Sequence, residues 1–400
     1  MKILMVAPLS LTYPPKDGYS MVVIYLAYFL KNFYNVESDI MVPEDEKYSA
    51  KDLIDSGIFN KVYNYQINSK WRALLKSFFS KDVYTMVRND INDKDLKKFI
   101  VSINNAKYDA IIFNHSFSFH LYRKLIKHIN DYNYKIIYWS HNIDYLYFKN
   151  MSKEARNPVE KFFYYFSYKK LKNIEVDFIK SVDNIVSVSK HEVEYLRKIN
   201  PRANVFWIPP LIPELKLNKE EKLCDFDDKL KNYQYKILFT GSLGIPQNVK
   251  PTIWFAKEVF PIIKNKLNAC FIIAGKNPSK EIINLSKRNN DIILYPNVPS
   301  MTQLYKISDL VVVPLFSSSG IKLKLIEALK YEKKVVARPE ALLGAGLEKL
   351  VPNAREPQEF AKKCIDALEE KIDYTNIFRE FRNIYDNKMI IDDIIKILSW

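Results

Sequence analysis

The chain has 400 residues, 48% of them hydrophobic, with 61 basic against 46 acidic side chains and a net charge of +15. That length predicts two or three domains with cores of their own, and that charge predicts an anionic partner: a nucleotide, a nucleic acid or an acidic membrane surface. Three cysteines, Cys224, Cys270 and Cys364, lack metal or redox spacing, and the apolar run over residues 21–30 is too short for a bilayer span of ~20 residues, so a reduced, cytosolic protein is expected.

Residues 2–8, KILMVAP, read as a short buried strand. A loop with Pro14, Pro15 and Gly18 follows, then a helical pattern over 19–33. YDAIIFNHS (108–116), YKIIYWSHN (134–142) and VDNIVSVSK (182–190) are further apolar runs that end in polar residues. Apolar strands alternating with helical patterns predict a parallel sheet covered on both faces. Residues 208–234 break the pattern with three prolines and a charged stretch, which marks a linker over 209–234. The alternation then restarts: KILFTGS, a helical PTIWFAKEVFPIIKNK, ACFIIAGKN, DIILYPNVP, MTQLYKIS, DLVVVPLFSSS, GIKLKLIEALKYE and KKVVARP. The expected organisation is therefore an α/β domain over 1–208, the linker, and a second α/β domain over 235–375. Ligands of such sheets bind outside the carboxyl ends of the strands, and two such domains predict a cleft between them.

The stretch FSSSGIKLKLIEALKYEKKVVARP (316–339) poses a specific problem. Glycine is scarce, eight in the whole chain, yet Gly320 stands between three serines and an apolar helical pattern. Ser317, Ser318 and Ser319 are suited to cap a helix start, which offers free N–H groups and partial positive charge to an anion. Gly320 permits close approach to the backbone. Lys322 and Lys324 fall in the first turn, where the helix dipole disfavours cations, and a bound diphosphate would offset that placement. Glu327, one turn on, is placed to accept both hydroxyls of a ribose. Taken alone, the segment also reads as an amphipathic surface helix with a Lys324–Glu327 pair worth a few tenths of a kcal/mol.

The ordered set ILFTGSLGIPQNV, FIIAGKNPS, NVPSMTQLYKISDLVVVPL and SGIKLKLIEAL, followed by KKVVA, resembles the carboxyl-terminal domain of the group 1 (family 4) glycosyltransferases over about 236–350. The likeness is weaker over 1–210. It implies the GT-B fold, α/β, with two Rossmann-like domains whose parallel sheets face across a cleft, and a terminal helix over about 376–400 returning to the first domain. It implies that Gly18, Gly241, Ser242, Asn248, Gly275, Ser319, Gly320, Ile321 and Lys322 line the donor site. Lys324 would bind the diphosphate, Glu327 the ribose, and His141 would help to place sugar or acceptor. Where many relatives carry two glutamates, the first falls on Ser319 here, so the chain is similar to the branch with a Ser-Gly-x-x-Leu-Lys start. Gly18-Tyr19 is a partial match to a Gly-Gly pair, and Ser242 stands where relatives often have a basic residue. Asp144 and His115 are candidates for the acceptor side.

The implied activity is transfer from a nucleotide diphospho-sugar to a glycan or lipid-linked acceptor of bacterial surface polysaccharide or glycoconjugate, with retention and without metal or cofactor. A nucleotide-sugar epimerase and a non-catalytic GT-B-like subunit remain alternatives. Residues 69–88 and 161–173 interleave aromatic and basic side chains, as an interfacial helix does or a packing face with snorkelling lysines. Peripheral contact with an anionic membrane, at its inner face, fits better than nucleic acid, for which no motif appears. Asp93 and Asp95 form a D-x-D in a charged helix and read as a solvated face. Ser189 reads as a helix cap.

Overall fold

The computed structural model describes every residue except 16, 45–49, 130–133, 156, 214–227, 299–300, 318–319 and 400. The chain forms two compact units, residues 1–213 with 385–400 and residues 214–384. Each is built on one wholly parallel sheet.

In the first unit the strands are β1 (Lys2–Val6), β2 (Glu37–Glu44), β3 (Lys61–Gln66), β4 (Ala110–Asn114), β5 (Lys135–Ser140), β6 (Asn184–Ser187) and β7 (Asn204–Trp207). Their order is β3-β2-β1-β4-β5-β6-β7. The strand order reverses between β1 and β4, so the carboxyl ends of these two strands border the ligand-binding crevice of this architecture. β4 is buried along its whole length. Both faces of the sheet are covered, which is why its strands read as continuous apolar runs instead of alternating ones.

The second unit contains β8 (Tyr235–Thr240), β9 (Ala269–Gly275), β10 (Ile292–Pro296), β11 (Leu310–Val313) and β12 (Lys334–Ala337), ordered β10-β9-β8-β11-β12. Its reversal lies between β8 and β11. The segments that leave these strands at their carboxyl ends are Gly241–Asn248 and the loop before the helix Leu323–Lys330.

Two features differ from the sequence expectation. The helix expected over 251–266 is Pro246–Trp254, a π-helical turn Phe255–Val259 and Phe260–Lys264, in a run that contains Pro251 and Pro261. A proline without an N–H removes a rung of the i→i−4 ladder, and a π-turn is one way to absorb the defect. The terminal helix is two helices. Tyr374–Ile384 stays with the second unit, where the Tyr374 hydroxyl donates to the Val335 carbonyl at 2.8 Å. Asn387–Ser399 starts afresh because Asp386 accepts from the Met389 N–H at 2.8 Å. That last helix packs on the helix Gly18–Tyr34 of the first unit, and Lys135 Nζ donates to the Ile397 carbonyl at 3.0 Å. Of the expected linker, residues 214–227 lie outside the described residues.

Candidate functional site

In the second unit the site is built on a glycine turn. β8 ends at Thr240, and the Gly241 N–H donates to the Ala274 carbonyl at 3.0 Å. A Cβ on Gly275 would lie 1.7 Å from the Gly241 carbonyl oxygen, so the end of β9 passes this turn only as glycine. A Cβ on Gly244 would lie 2.8 Å from the Asn277 carbonyl. The third glycine serves a side chain instead. A Cβ on Gly241 would lie 2.8 Å from Lys324 Nζ and 3.2 Å from the Asn248 amide. The bare backbone and the lysine are two halves of one feature, because the ammonium sits against the space that a side chain at 241 would fill.

Lys324 Nζ donates to Asn248 Oδ1 at 2.9 Å, and Asn248 Nδ2 donates to the Ser242 carbonyl at 3.0 Å. The ammonium also lies 4.3 Å from the Phe239 ring centroid. No carboxylate lies within ion-pairing distance of it among the described residues. Burial, reinforced by Lys322 and opposed by Glu327, pulls the Lys324 pKa down to about 7. An ammonium held among desolvating groups, with a neutral amide and an aromatic ring beside it and no carboxylate partner among the described residues, is poorly compensated, and an anion arriving there would restore its charge.

Glu327 stands one turn further along the same helix. Its carboxylate accepts from the Tyr305 hydroxyl at 3.1 Å, and that hydroxyl lies 3.2 Å from Thr240 Oγ1. Tyr305 is fully buried and stacked on Tyr331 with centroids 4.8 Å apart. Burial raises the Glu327 pKa, against the opposing effects of Tyr305 and Lys324. The carboxylate therefore has a fixed orientation set from behind. Tyr305, Thr240 and Phe239 were not among the residues singled out from sequence. The one available signal was a tyrosine inside the apolar face of TQLYKIS.

The helix start differs from the serine-capped form expected. The helix is Leu323–Lys330, with Lys322 as its N-cap residue and no side-chain cap hydrogen bond. Gly320 has φ 64°, a left-handed conformation that favours glycine, and the extended Lys322 then leads into the helix. Ser317 and Gly320 thus both precede the helix. Ser318 and Ser319 lie outside the described residues. Lys324 becomes the second helical residue, within the first turn, and Leu325 and Leu329 are buried while Ile321 precedes the helix.

In the first unit the residues after β4 and β5 converge. His141 Nε2 lies 3.4 Å from Asn114 Oδ1, and the His115 and His141 ring centroids are 5.9 Å apart. Tyr19 packs against both rings, at 5.9 Å from His115 and 5.2 Å from His141. His115 has φ 68°, and its Nδ1 lies 3.0 Å from Asp144 Oδ2. Burial, with the neighbouring His115, holds His141 well below the usual imidazole range, so it is neutral near pH 7. Burial lowers His115 too, opposed by Asp144.

Asp144 does not present itself to an acceptor. It is 2% exposed, accepts from the Ser116 hydroxyl and from Asn142 Nδ2, and faces His115. It is a buried anchor that fixes the His115 loop. Behind it, Glu175 accepts from the N–H groups of Asp144 (3.1 Å) and Tyr145 (2.9 Å) and so caps the helix Asp144–Glu154 from a distant part of the chain. Gly18 does open the first helix, but Asp17 already caps that end, accepting from Ser20 N at 2.8 Å and Ser20 Oγ at 2.9 Å. A carboxylate at this point opposes the approach of a phosphate. Ser189 is an N-cap residue without a side-chain cap bond. Asp93 and Asp95 sit in the first turn of the helix Asp93–Ala106, Asp95 being 3.9 Å from Lys98.

Residues 234–370 match the family model for glycosyl transferases group 1. A curated protein of Klebsiella pneumoniae, described as an uncharacterized 44.6 kDa protein in the cps region, is 25% identical over 252 residues, which is 59% of this chain and 61% of that protein. Among solved structures, Anabaena Alr3699/HepE in complex with UDP-glucose is 13% identical with a TM-score of 0.66, covering 100% of this chain and 99% of that one. TarM of S. aureus is 11% identical with a TM-score of 0.65, covering 100% and 99%. A glycosyltransferase from Rickettsia africae is 16% identical with a TM-score of 0.64, covering 100% and 97%. At these identities the structural likeness carries the fold, which is GT-B.

Proposed function

We propose that this chain, a GT-B protein with a group 1 domain over residues 234–370, is a glycosyltransferase that uses a nucleotide diphospho-sugar. The observation that carries the reading is the Lys324 ammonium, seated against Gly241 with Asn248 as its partner and no carboxylate beside it among the described residues. A diphosphate is the chemistry that fits: it needs bare backbone for close approach and a cation to receive its charge. The complexes of HepE with UDP and UDP-glucose support a uridine donor by analogy.

In this reading Glu327 accepts the two ribose hydroxyls, held in orientation by Tyr305. Lys324, aided by Lys322, neutralises charge that develops on the diphosphate as the sugar C1–O bond breaks and its electron pair departs with the oxygen. The acceptor hydroxyl oxygen forms the new bond to C1, and its proton passes to the departing oxygen. The likeness to the group 1 glycosyltransferases extends the reading to transfer with retention and without a metal. His141 is neutral and acts as a hydrogen-bonding group that places sugar or acceptor, not as an acid. The acceptor is a glycan or lipid-linked intermediate of bacterial surface polysaccharide, a reading supported by the relative from a cps region.

The test is a thermal-shift screen of the purified chain against nucleotide sugars, followed by turnover with the best ligand. Stabilisation by one nucleoside diphosphate series, lost in Lys324→Ala, is the expected result. An equal shift in the variant would remove the diphosphate assignment.

A further inference from the structure

We propose that the helix Lys70–Phe79 and the amino-terminal half of the helix Pro158–Lys180 form a docking face for an anionic lipid bilayer. The first helix is inverted relative to an ordinary surface helix. Its buried residues are Ala73 and Ser77, small and weakly apolar. Its large apolar residues, Trp71, Leu75 and Phe78, recur at i, i+4 and i+7, the spacing that normally faces a core. They point away from the protein instead: Trp71 is 78% exposed and Leu75 63%, and the adjacent Phe79 is 92% exposed.

The second helix extends the same surface. Phe166 lies 6.1 Å from Phe78 and stacks with Phe162 at 6.2 Å, and Phe162 is 63% exposed. The two helices are tied together by Lys170, whose ammonium donates to the carbonyls of Ser77 and Ser80 and lies over the Phe166 ring at 4.6 Å. The aromatic row is therefore a fixed platform, not a set of separate side chains. A contiguous exposed apolar patch with a charged rim marks an interaction surface.

Charge selects the occupant. Residues 69–81 contain Lys70, Arg72, Lys76 and Lys81 and no acidic residue. A second copy of this face would set those cations against their own kind. An anionic bilayer accepts both halves of the pattern, with aromatic rings at the headgroup boundary and lysines on the phosphates. Contact is peripheral, since no helix among the described residues is long and apolar enough to cross a membrane.

The test uses the full chain, without substrate, sedimented with vesicles of phosphatidylcholine alone or with phosphatidylglycerol added. The bound fraction should rise with phosphatidylglycerol and fall with salt. The variant Trp71→Ser/Leu75→Ser/Phe79→Ser should lose at least tenfold in vesicle affinity while its melting temperature and its affinity for UDP stay unchanged. A second variant, Lys70→Glu/Lys76→Glu, should lose the preference for phosphatidylglycerol, and it keeps the proposal testable if the first fails to fold. Wild-type protein that stays in the supernatant with both vesicles overturns the proposal. So does equal binding by the variants, a dimer that the triple variant converts to monomer without any vesicle binding, or an oligonucleotide that binds this face in place of vesicles. Vesicle binding is read independently of sugar transfer, so neither proposal falls with the other.

Discussion

Binding of UDP at pH 8 should draw a proton from solvent onto Lys324. In the free protein this ammonium titrates at about 7, so about a tenth of it is charged at pH 8. An opposite charge at contact distance raises such a group by roughly 1–3 units, to ~8–10. The difference in occupancy is ~0.4–0.9 proton per UDP bound. The last phosphate proton of UDP itself, with a pKa near 6, has already gone at this pH. The charged lysine is favoured in the complex, so affinity is full below about pH 7 and falls as pH rises above it, by up to about tenfold per unit. Isothermal titration at pH 8 in two buffers of different ionisation enthalpy reads the proton count directly, and titrations from pH 7 to 9 read the slope. Lys324→Ala should abolish the uptake and weaken binding at pH 7 by about 1.5–3 kcal/mol, roughly 10- to 150-fold. Zero uptake by the wild type, or the same uptake by the variant, would refute the placement of a diphosphate on this lysine.

Glu327→Gln should weaken UDP and free uridine alike, by about tenfold, because it acts on the ribose, whereas Lys324→Ala should spare uridine; equal effects on both ligands in both variants would merge the two roles. Gly275→Ala should destabilise the second unit by ~3 kcal/mol, read as a lowered melting temperature, because its Cβ meets the Gly241 carbonyl at 1.7 Å. Gly241→Ala meets only the flexible end of Lys324 and the Asn248 amide, so it should keep the fold and lose UDP affinity in a titration. His141→Ala should lower kcat about 100-fold with little change in UDP affinity, and the wild-type kcat at saturating donor should show no histidine titration between pH 6.5 and 8.

The strands and the helical alternation were legible because buried parallel strands are apolar throughout, as in AIIFN of β4 and LVVV of β11. Gly241, Lys324 and Glu327 could be nominated because each carries its own local signature, a glycine where glycine is rare or a charge in an apolar frame, whereas Asn248 stood out only through the likeness of ILFTGSLGIPQNV to the group 1 glycosyltransferases. What remained hidden were relations between distant residues. Nothing near Glu327 announces that Tyr305, 22 positions earlier, holds its carboxylate. Nothing near Asp144 reveals that Ser116 and His115 occupy it, which turned an expected acceptor ligand into an anchor. The capping roles show the same limit. Three serines before an apolar run match a cap pattern, yet the left-handed turn at Gly320 delays the helix to Leu323. The outward-facing stripe of Trp71, Leu75 and Phe78 was visible only as apolar residues interleaved with basic ones, because its direction depends on what packs behind Ala73 and Ser77.

A crystal structure of the chain with UDP tests the central claim most directly. The account predicts a phosphate oxygen 2.7–3.2 Å from Lys324 Nζ, within the Gly241 turn, and both ribose hydroxyls on Glu327. A nucleotide bound elsewhere, with Lys324 still held by Asn248 alone, would contradict it.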